Sequence, residues 1–285
     1  MEGKIVKLTG GFYYVYSDGK VYETRARGNF RHKDTKPVVG DIVEFKYEED
    51  KLGYIEKVYP RTNILIRPSV ANVDQVLIVI PIKDPKYNLN LVDRMIIAYE
   101  NKVDIFIVIN KYDLDESEAK KLMYLYKNAG FETFMVSNKD EESLESLREH
   151  VEGKTTALSG VSAAGKSTIA SYILGREVLV GGISEKTRRG KHTTRHVELL
   201  FGENDTYLFD TPGFSSMDLS IDSDRLQEQF REFKNFRSNC RFNNCNHINE
   251  PHCAVKEAVE SGEVEETRYK NYVSIFNDLK EKGKY

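Results

Sequence analysis

One stretch of small residues, GVSAAGKST at residues 160–168, most limits what this chain can fold into. GVSAAGKS matches the pattern G-x-x-x-x-G-K-[ST], which forms a phosphate-binding loop only between a strand and a helix. TTALS before the loop predicts that strand, and STIASYIL after it predicts that helix. A chance turn between a strand and a helix is the alternative interpretation. The matching context favours a loop whose backbone N–H groups surround a phosphate.

The loop supplies several candidate contacts to a bound nucleotide. Lys166 can reach the β- and γ-phosphate oxygens, and the Ser167 hydroxyl can bind Mg²⁺. The loop candidates are Gly160, Val161, Ser162, Ala163, Ala164, Gly165, Lys166, Ser167 and Thr168. This motif alone fits ATPases, kinases and GTPases.

Two tetrapeptides narrow that choice. DTPG at 210–213 follows the apolar strand TYLF, so Asp210 can hold Mg²⁺ through a water and the Gly213 amide can meet a γ-phosphate. NKYD at 110–113 follows the strand IFIVI, and the Asp113 carboxylate can accept from both the ring N–H and the exocyclic amine of guanine. Adenine offers no such pair of donors, so a buried Asp113 would reject it. Either tetrapeptide could be an ordinary turn, but three motifs at three strand ends together predict a GTP/GDP site.

Further base contacts are expected near Asp113. Lys111 would lie along the base, and Asn110 would hold the loop in place. VSN at 136–138 follows the next strand, which makes Ser137 and Asn138 candidates as well.

The base-reading motif precedes the phosphate loop in this chain, which reverses the usual order. A doubly wound sheet binds ligands at the carboxyl ends of its strands, whichever strand comes first in sequence. Joining the natural termini of a GTPase and opening the chain elsewhere therefore preserves the site, and nearby termini make such permutation tolerable. We predict a circularly permuted GTPase fold in which the segment after DTPG leads directly into the C-terminal region.

Three regions of different pattern define the expected fold, which is multidomain. Residues 1–66 hold short β-rich stretches between turn signals such as SDGK, which predicts an OB-like β-barrel that binds RNA. Residues 67–217 alternate apolar strands with helices, which predicts an α/β P-loop domain with a parallel sheet covered on both faces. HVELLFG and TYLFDTPG are expected to complete that sheet. Residues 218–285 are expected to be mainly helical and zinc-binding, with a cysteine-rich loop and a helix break at ESGE.

The apolar runs and the N-terminal stretch indicate neither a membrane-spanning nor a secreted protein. The longest apolar runs, VLIVIPI at 76–82 and IFIVI at 105–109, fall far below the ~20 residues of a spanning helix. The N-terminal MEGKIVKLTGG lacks the apolar core of a secretory signal, so we expect a cytoplasmic protein without membrane contact. The net charge of −3 does not by itself indicate a nucleic-acid binder.

All three cysteines lie in one short window that also holds a histidine. Cys240, Cys245, His247 and Cys253 offer three thiolates and one imidazole, the ligand set of a closed structural zinc site. A clustered, odd set of cysteines in a cytosolic chain favours metal over disulfides. His252 is a rival ligand, although its adjacency to Cys253 is sterically awkward, and unliganded cysteines are the alternative. We expect one structural Zn²⁺ to hold this loop-rich region together.

Two basic clusters are candidates for RNA contact. The first lies in an expected barrel loop and includes an aromatic side chain, which suits backbone contact plus base stacking. Its members are Arg25, Arg27, Phe30, Arg31, His32, Lys33 and Lys36. The second, near the expected switch segment, comprises Lys186, Arg188, Arg189, Lys191 and Arg195. Solvated surface charge is the alternative interpretation for both.

Over its whole length the chain resembles the circularly permuted ribosome small subunit-dependent GTPase A family of bacteria. The resemblance rests on the barrel, VANVDQVLIV, NKYDL, the phosphate loop, RRGKHTTR, DTPGF and the Cys/His cluster. It implies a monomeric GTP hydrolase that binds the small (30S) ribosomal subunit and its rRNA during late maturation, with GTP/GDP, Mg²⁺ and one Zn²⁺. The family's loop usually has glycine where this chain has Ala163. Alanine adopts positive φ only at a cost, so loop geometry and nucleotide affinity are the properties in question.

The segment RRGKHTTRH at 188–196 occupies the switch position. In familiar GTPases a glutamine after the DxxG glycine orients the attacking water, but Phe214 stands there and cannot. The resemblance implies that His192 assists hydrolysis once the ribosomal subunit is bound; a solvated loop histidine is the alternative. Thr193 or Thr194 would meet Mg²⁺ and the γ-phosphate, and we favour Thr194. Hydrolysis by the isolated protein should therefore be slow.

Two other functions fit parts of the sequence. One is a nucleotide-gated RNA-binding scaffold with incidental hydrolysis, for which Phe214 and Ala163 argue. The other is an ATP-dependent P-loop kinase, for which NKYD would be accidental.

Overall fold

The computed structural model describes residues 1–26, 36–48, 52–66, 69–178, 198–210 and 217–282. The chain divides into two compact units. Unit 1 comprises Met1–Val76, Leu144–Leu158 and Lys166–Pro212, and unit 2 comprises Leu77–Ser143, Ser159–Gly165 and Gly213–Tyr285. Each unit is discontinuous in sequence, because the chain passes from one to the other more than once.

Unit 1 begins with a closed five-stranded barrel. Its strands are β1 (Glu2–Thr9), β2 (Phe12–Ser17), β3 (Lys20–Ala26), β4 (Ile42–Lys46) and β5 (Gly53–Val58). β1 pairs with β2, β2 with β3, β5 with β4 and β4 with β1 in antiparallel fashion, whereas β3 and β5 are parallel. Because the last pairing returns to β1, the barrel has no free edge within this set of strands. This closed barrel confirms the predicted OB-like architecture.

The barrel interior follows the period-2 alternation of its strands. Its core consists of Ile5, Tyr13, Val15, Val43, Phe45 and Ile55. β1 departs from this alternation, because a register irregularity lies between Ile5 and Lys7 and both Ile5 and Val6 are buried.

The rest of unit 1 contains further strands, one of which pairs with β1. A short hairpin of β6 (Ile64–Ile66) and β7 (Ser69–Ala71) follows the barrel. β11 (Thr155–Gly160) pairs in parallel with β13 (Tyr207–Asp210). β12 (Glu198–Phe201) is antiparallel to both β13 and β1. The expectation of a purely parallel sheet was therefore wrong for β12, because the few residues between β12 and β13 form a hairpin and cannot make a parallel crossover.

Unit 2 carries the apolar strands predicted from the sequence. β9 (Asp104–Asn110) lies between β8 (Gln75–Pro81) and β10 (Glu132–Val136), and β9 and β10 are parallel. Two helices connect them, α1 (Leu89–Tyr99) and α2 (Glu116–Asn128). α3 (Glu141–Val151) follows β10, and α4 (Lys166–Ile173), in unit 1, follows the glycine-rich loop. The alternation of strands and helices confirms the predicted α/β fold class.

The C-terminal part of unit 2 is helical with a loop-rich insertion. Three 3-10 helices, Ser223–Gln229, Arg231–Asn235 and Arg237–Asn239, precede α5 (Ala254–Glu260) and α6 (Glu266–Lys282). The predicted break at ESGE falls between α5 and α6. Phe230, Phe233 and Tyr272 pack edge to face or stacked in the core of this region.

A buried charge cluster joins α6 to the α/β part of unit 2. Arg268 donates to the carboxylates of Glu232 and of Asp93 on α1, and the three side chains are 2%, 5% and 0% exposed. Asn271 donates to Asp93 Oδ2 over 2.6 Å. Each buried charge therefore has hydrogen-bond partners.

Candidate nucleotide and metal sites

The glycine-rich loop in unit 2 follows β11 and has two positions that only glycine fits. Gly160 has φ of 149°, and a Cβ there would lie 2.5 Å from the Val79 carbonyl oxygen. Gly165 has φ of 96°, and its Cβ would lie 2.1 Å from Asn110 Nδ2. A side chain does not fit at either position, because the Val79 backbone lies against Gly160 and the Asn110 side-chain amide lies against Gly165, and both glycines also have positive φ.

Ala163 adopts the left-handed backbone conformation, which is the conformation that alanine was expected to adopt only at a cost. Its φ is 60°, so the loop keeps the backbone shape that favours glycine, at a cost of about 1 kcal/mol in an alanine. The adjacent Ala164 is fully buried. Alanine in place of the family's usual glycine therefore keeps a glycine-like backbone conformation at this position, but the conformation is strained.

Asn110 connects the two motifs that are far apart and reversed in sequence. Its Nδ2 donates to the Ala164 carbonyl oxygen over 2.8 Å, and its Oδ1 accepts from the Lys111 N–H over 2.8 Å. Only 2% of Asn110 is exposed. Lys111, with φ of 60°, also donates through Nζ to the carbonyl oxygen of Ala163 over 3.2 Å. The loop of NKYD and the glycine-rich loop thus form one connected structure inside unit 2.

Asp113 lies beside Asn110 with both carboxylate oxygens engaged. Ser137 Oγ donates to Oδ1 over 2.6 Å, and Lys139 Nζ donates to Oδ2 over 2.7 Å. The hydrogen bond from Lys139, followed by that from Ser137, lowers the pKa of Asp113 below its usual value. Asp113 is ionised at neutral pH and can accept a pair of N–H donors. It is an exposed residue in this structure, so the burial on which the sequence analysis based its rejection of adenine is not seen. Asn138 is exposed in the same turn.

Sequence reasoning missed three polar residues around Asp113. Lys139 pairs with it directly, and Tyr112 Oη donates to Asp140 Oδ2 over 2.7 Å. Tyr112 occupies the variable position of N-K-x-D, and Lys139 and Asp140 come just after VSN. Their proximity to strand ends was the available signal, since loops after neighbouring parallel strands meet at one edge.

The remaining loop candidates include the first residues of helix α4, which belongs to unit 1. Lys166 begins that helix and is 8% exposed, and Ser167 and Thr168 lie in its first turn. The Ser167 carbonyl oxygen accepts from Ser171 Oγ over 2.9 Å. Of the other loop candidates, Val161 is half-buried and Ser162 is exposed. Asp210 ends β13 in the same unit.

Some predicted site residues lie outside the described residues. These are His192, Thr193, Thr194 and Gly213, together with Phe214 and all of the second basic cluster. From the first basic cluster, only Arg25 and Lys36 lie within the described part of the chain.

The cysteines and His247 come together as the sequence predicted. Their ligand atoms all lie within 4.8 Å of one another, and the group consists of Cys240, Cys245, His247 and Cys253. Cys240 Sγ is 3.9 Å from Cys253 Sγ, and His247 Nδ1 is 3.5 and 3.3 Å from these two sulfurs. A tetrahedral zinc with Zn–S bonds of about 2.3 Å places its ligands roughly 3.5–3.8 Å apart, so the geometry fits one Zn²⁺. His252, the rival ligand, is exposed and outside the group.

Neighbouring groups orient the histidine of this cluster. His247 Nε2 lies 2.8 Å from Gln227 Oε1 and can donate to it, which leaves the Nδ1 lone pair facing the sulfurs. Burial lowers the pKa of His247 to about 4, so the imidazole is neutral. Tyr269 and Tyr272 of α6 donate to the carbonyl oxygens of His247 and Asn246, each over 2.7 Å. The cluster is thereby joined to helix α6.

Comparison with known proteins decides the family. A sequence profile described as RsgA GTPase matches residues 58–220, and one described as RsgA N-terminal domain matches residues 2–55. The chain belongs to the RsgA GTPase family. A relative from Clostridium perfringens (strain SM101 / Type A), named small ribosomal subunit biogenesis GTPase RsgA, is 44% identical over 98% of both chains. One of the same name from Caldanaerobacter subterraneus subsp. tengcongensis is 41% identical over 100% of this chain and 97% of its own.

Similarity to solved structures supports the circularly permuted GTPase fold. YloQ, described as a circularly permuted GTPase, matches with a TM-score of 0.78 and 36% identity over 99% of this chain and 95% of its own. YjeQ from Thermotoga maritima matches with a TM-score of 0.82 and 35% identity over 98% of both chains. No helix in the described part of the chain is both long and apolar enough to cross a membrane.

Membership of the RsgA family makes this protein a GTP hydrolase that uses GTP/GDP and Mg²⁺. The donor set fits the metal, because a serine hydroxyl at Ser167 and a carboxylate at Asp210 are oxygen ligands of the kind Mg²⁺ prefers. The buried three-thiol, one-imidazole cluster likewise fits one structural zinc.

Proposed function

We propose that this protein is a GTPase that binds the small ribosomal subunit and hydrolyses GTP to GDP and phosphate during late subunit maturation. The observation that carries the proposal is the connection of the base-reading loop to the phosphate loop through Asn110, beside an ionised Asp113. A phosphate loop alone fits many nucleotide enzymes, whereas this connection adds a guanine-reading carboxylate at a fixed position.

The residues have separate roles in this proposal. Asp113 reads guanine, with Lys111, Ser137 and Asn138 around the base. Amide groups of the loop from Gly160 to Gly165 surround the phosphates, and Lys166 offsets their negative charge. Bound Mg²⁺ supplies further charge neutralisation on the β- and γ-phosphates. Its proposed protein contacts are Ser167, Thr194 and, through a water, Asp210, and Thr168 completes the nucleotide-binding loop.

We assign the hydrolysis step to the switch segment. Phe214 follows the DxxG glycine and has no group that can hold a water, so His192 is the proposed residue that orients it. Gly213 would donate its amide to the γ-phosphate, and Thr193 is the alternative to Thr194. Hydrolysis without the partner should be slow, since only the docked switch would present His192.

The partner assignment rests on the relatives' names, small ribosomal subunit biogenesis GTPase. We place rRNA contact on the barrel, where Arg25 lies over the Phe12 ring at 4.4 Å. We further propose a monomeric cytoplasmic protein without membrane contact. The division into a barrel (1–66), a GTPase domain (67–217) and a zinc-binding domain (218–285) also remains a proposal.

A nucleotide-gated RNA-binding scaffold with incidental hydrolysis is the second candidate. The strained Ala163 in the phosphate loop is the observation that favours it. It predicts a hydrolysis rate that ribosomal subunits do not change.

GTP turnover by the purified protein, with and without 30S subunits, tests the proposal. We expect stimulation of about a hundredfold or more, within the range of partner-supplied catalysis, and its loss in His192→Ala. Retained subunit binding by His192→Ala is the control. An unchanged turnover despite tight subunit binding would support the scaffold instead.

A further inference from the structure

Three side-chain hydrogen bonds join the base-reading loop to the turn formed by residues 137–140, and one of them is the bond from Lys139 Nζ to Asp113 Oδ2 described above. Ser137 Oγ donates to Asp113 Oδ1 over 2.6 Å, and Tyr112 Oη donates to Asp140 Oδ2 over 2.7 Å. Tyr112 and Asp113 are neighbours in one loop, and Ser137 and Asp140 close the other. The turn is therefore attached to the base-reading loop at Asp113 itself and at the preceding residue, Tyr112.

Asp140 and Ser137 are also linked to each other through Ser143. The Ser143 N–H donates to Asp140 Oδ1 over 3.3 Å, and its hydroxyl donates to the Asp140 carbonyl oxygen over 2.7 Å. The Ser137 N–H donates to Ser143 Oγ over 3.2 Å, and the Asp140 N–H donates to the Ser137 carbonyl oxygen over 3.0 Å. A displacement of Asp140 must therefore move Ser137, which is 1% exposed and has little room.

We propose that Tyr112 is a positioning residue for guanine recognition: through Asp140 it fixes the turn that holds Ser137, and so fixes the Asp113 carboxylate in the orientation that reads the base. This inference rests on the proposed function, which assigns base reading to Asp113. Ser137 Oγ and Lys139 Nζ are the direct contacts of that carboxylate, and Tyr112 acts on it only through the turn.

The hydrogen bond between Tyr112 and Asp140 is of a strong type that can hold the turn in place. A hydroxyl that donates to a carboxylate makes a charge-assisted bond, which is stronger than a neutral one. That bond raises the pKa of Tyr112 to about 12 and lowers the pKa of Asp140. Donor and acceptor therefore keep their roles at neutral pH, and the turn does not change with modest pH shifts.

Tyr112→Phe tests the inference because it removes one hydroxyl and keeps the ring. Binding of GDP and of inosine diphosphate, which lacks the exocyclic amine of guanine, is measured by equilibrium titration. We expect GDP affinity to fall about 3- to 10-fold, the effect of one lost hydrogen bond, and inosine diphosphate affinity to fall less. The preference for GDP should shrink accordingly, while turnover at saturating GTP stays within about 2-fold, because the reacting phosphates are unaffected.

Tyr87→Phe is the matched control, because Tyr87 also donates its hydroxyl to a carboxylate in unit 2, that of Glu118. It should leave the GDP preference unchanged. Asp140→Asn leaves one acceptor oxygen where Tyr112 and the Ser143 N–H each use their own, so it should lose part of the GDP preference, and Tyr112→Phe should add little further loss in the double variant. Ser143→Ala removes the hydroxyl that bonds both Asp140 and Ser137 but leaves the main-chain bond between them, so it should reproduce part of the loss, with a less than additive effect in the double variant with Tyr112→Phe.

Three results would overturn the inference. An unchanged GDP preference in both Tyr112→Phe and Ser143→Ala would show that the turn does not position Asp113. Equal losses for GDP and inosine diphosphate, with a lowered thermal midpoint, would indicate a structural role only. A wild-type protein that prefers GDP no more than ADP would reject the base-reading assignment itself, and with it the positioning role. Failure of the base-reading assignment can be distinguished from failure of the positioning role, because the wild-type protein alone reveals the former.

Discussion

The base-reading loops and the Cys/His cluster lie in the same unit but are stabilised in opposite ways. Hydrogen bonds from Lys139 and Ser137 hold the ionised carboxylate of Asp113 in one orientation and lower its pKa. Burial raises the pKa of the Cys245 thiol to about 12, so this sulfur keeps its proton until a metal displaces it. The first site is preformed by the chain's own hydrogen bonds, whereas the second requires a cation.

This difference indicates what each ligand does for the fold. A nucleotide adds contacts to loops that Asn110 and Ser137 already hold together. Zinc instead replaces the hydrophobic core that the loop between Cys240 and Cys253 is too short and too polar to form. Removing the two ligands should therefore have very different structural effects.

Removal of zinc should have the largest effect. Chelation removes the cation that binds the three sulfurs and the imidazole to one point, so we expect the region around α5 to lose several kcal/mol of local stability. Hydrogen exchange measures this: amides of Ala254–Glu260 should exchange at least about a hundredfold faster, while amides of Asp104–Asn110 keep their protection. Removal of GDP is the control and should spare α5. Unchanged α5 protection after proven zinc loss would contradict the comparison.

The buried charge cluster joins α1 to α6, so removing its cation should lower the stability of the α/β part and of the C-terminal part of unit 2 together. Arg268→Met leaves Asp93 and Glu232 buried without their cation, which should lower the free energy of unfolding by about 3–5 kcal/mol. Urea denaturation measures this loss. Lys270→Met is the control, since Lys270 forms an exposed pair with Glu266 on the same helix and should cost under about 0.5 kcal/mol. Similar losses in the two variants would mean that the buried pairs do not join α1 to α6.

Asp113→Asn tests the preformed site alone. An amide presents a donor where guanine also presents donors, so GDP affinity should fall about a hundredfold, and xanthosine diphosphate should become the preferred ligand. Equilibrium binding of the two nucleotides checks this. Zinc content and the α5 amides should not change, because Asp113 makes none of the contacts of the cluster. Retained GDP preference would reject the base-reading assignment.

Much of both sites could be predicted because their residues form short contiguous patterns. N-K-x-D, the glycine-rich loop and the Cys/His spacing each carry their chemistry in a few neighbouring residues. Strand-end positions then implied that the first two meet, and Asn110 confirms that contact.

Other features depend on tertiary pairing and left no such pattern. Tyr112 meets Asp140 only because β9 and β10 pair in one register, which the sequence does not specify. Arg268 looks like a surface residue of a polar helix until its carboxylate partners, far away in sequence, are known. The antiparallel direction of β12 was readable from the short connection to β13, but the apolar pattern of both strands obscured it.

The smallest expected effect concerns strain within the preformed site. At φ of 60° an alanine is strained, so Ala163→Gly should relieve the loop by up to about 1 kcal/mol, partly offset by the greater freedom of glycine in the unfolded chain. We expect a thermal midpoint that is equal or a few degrees higher, and GDP binding equal or up to about 5-fold tighter. Ala164→Gly is the matched control: Ala164 is fully buried and has no positive φ, so this change should lower stability by about 0.5–1 kcal/mol. If the two substitutions were equally destabilising, the strain at Ala163 would not exist, and the hydrogen bonds of Asn110 and Lys111 to this loop would hold it without cost.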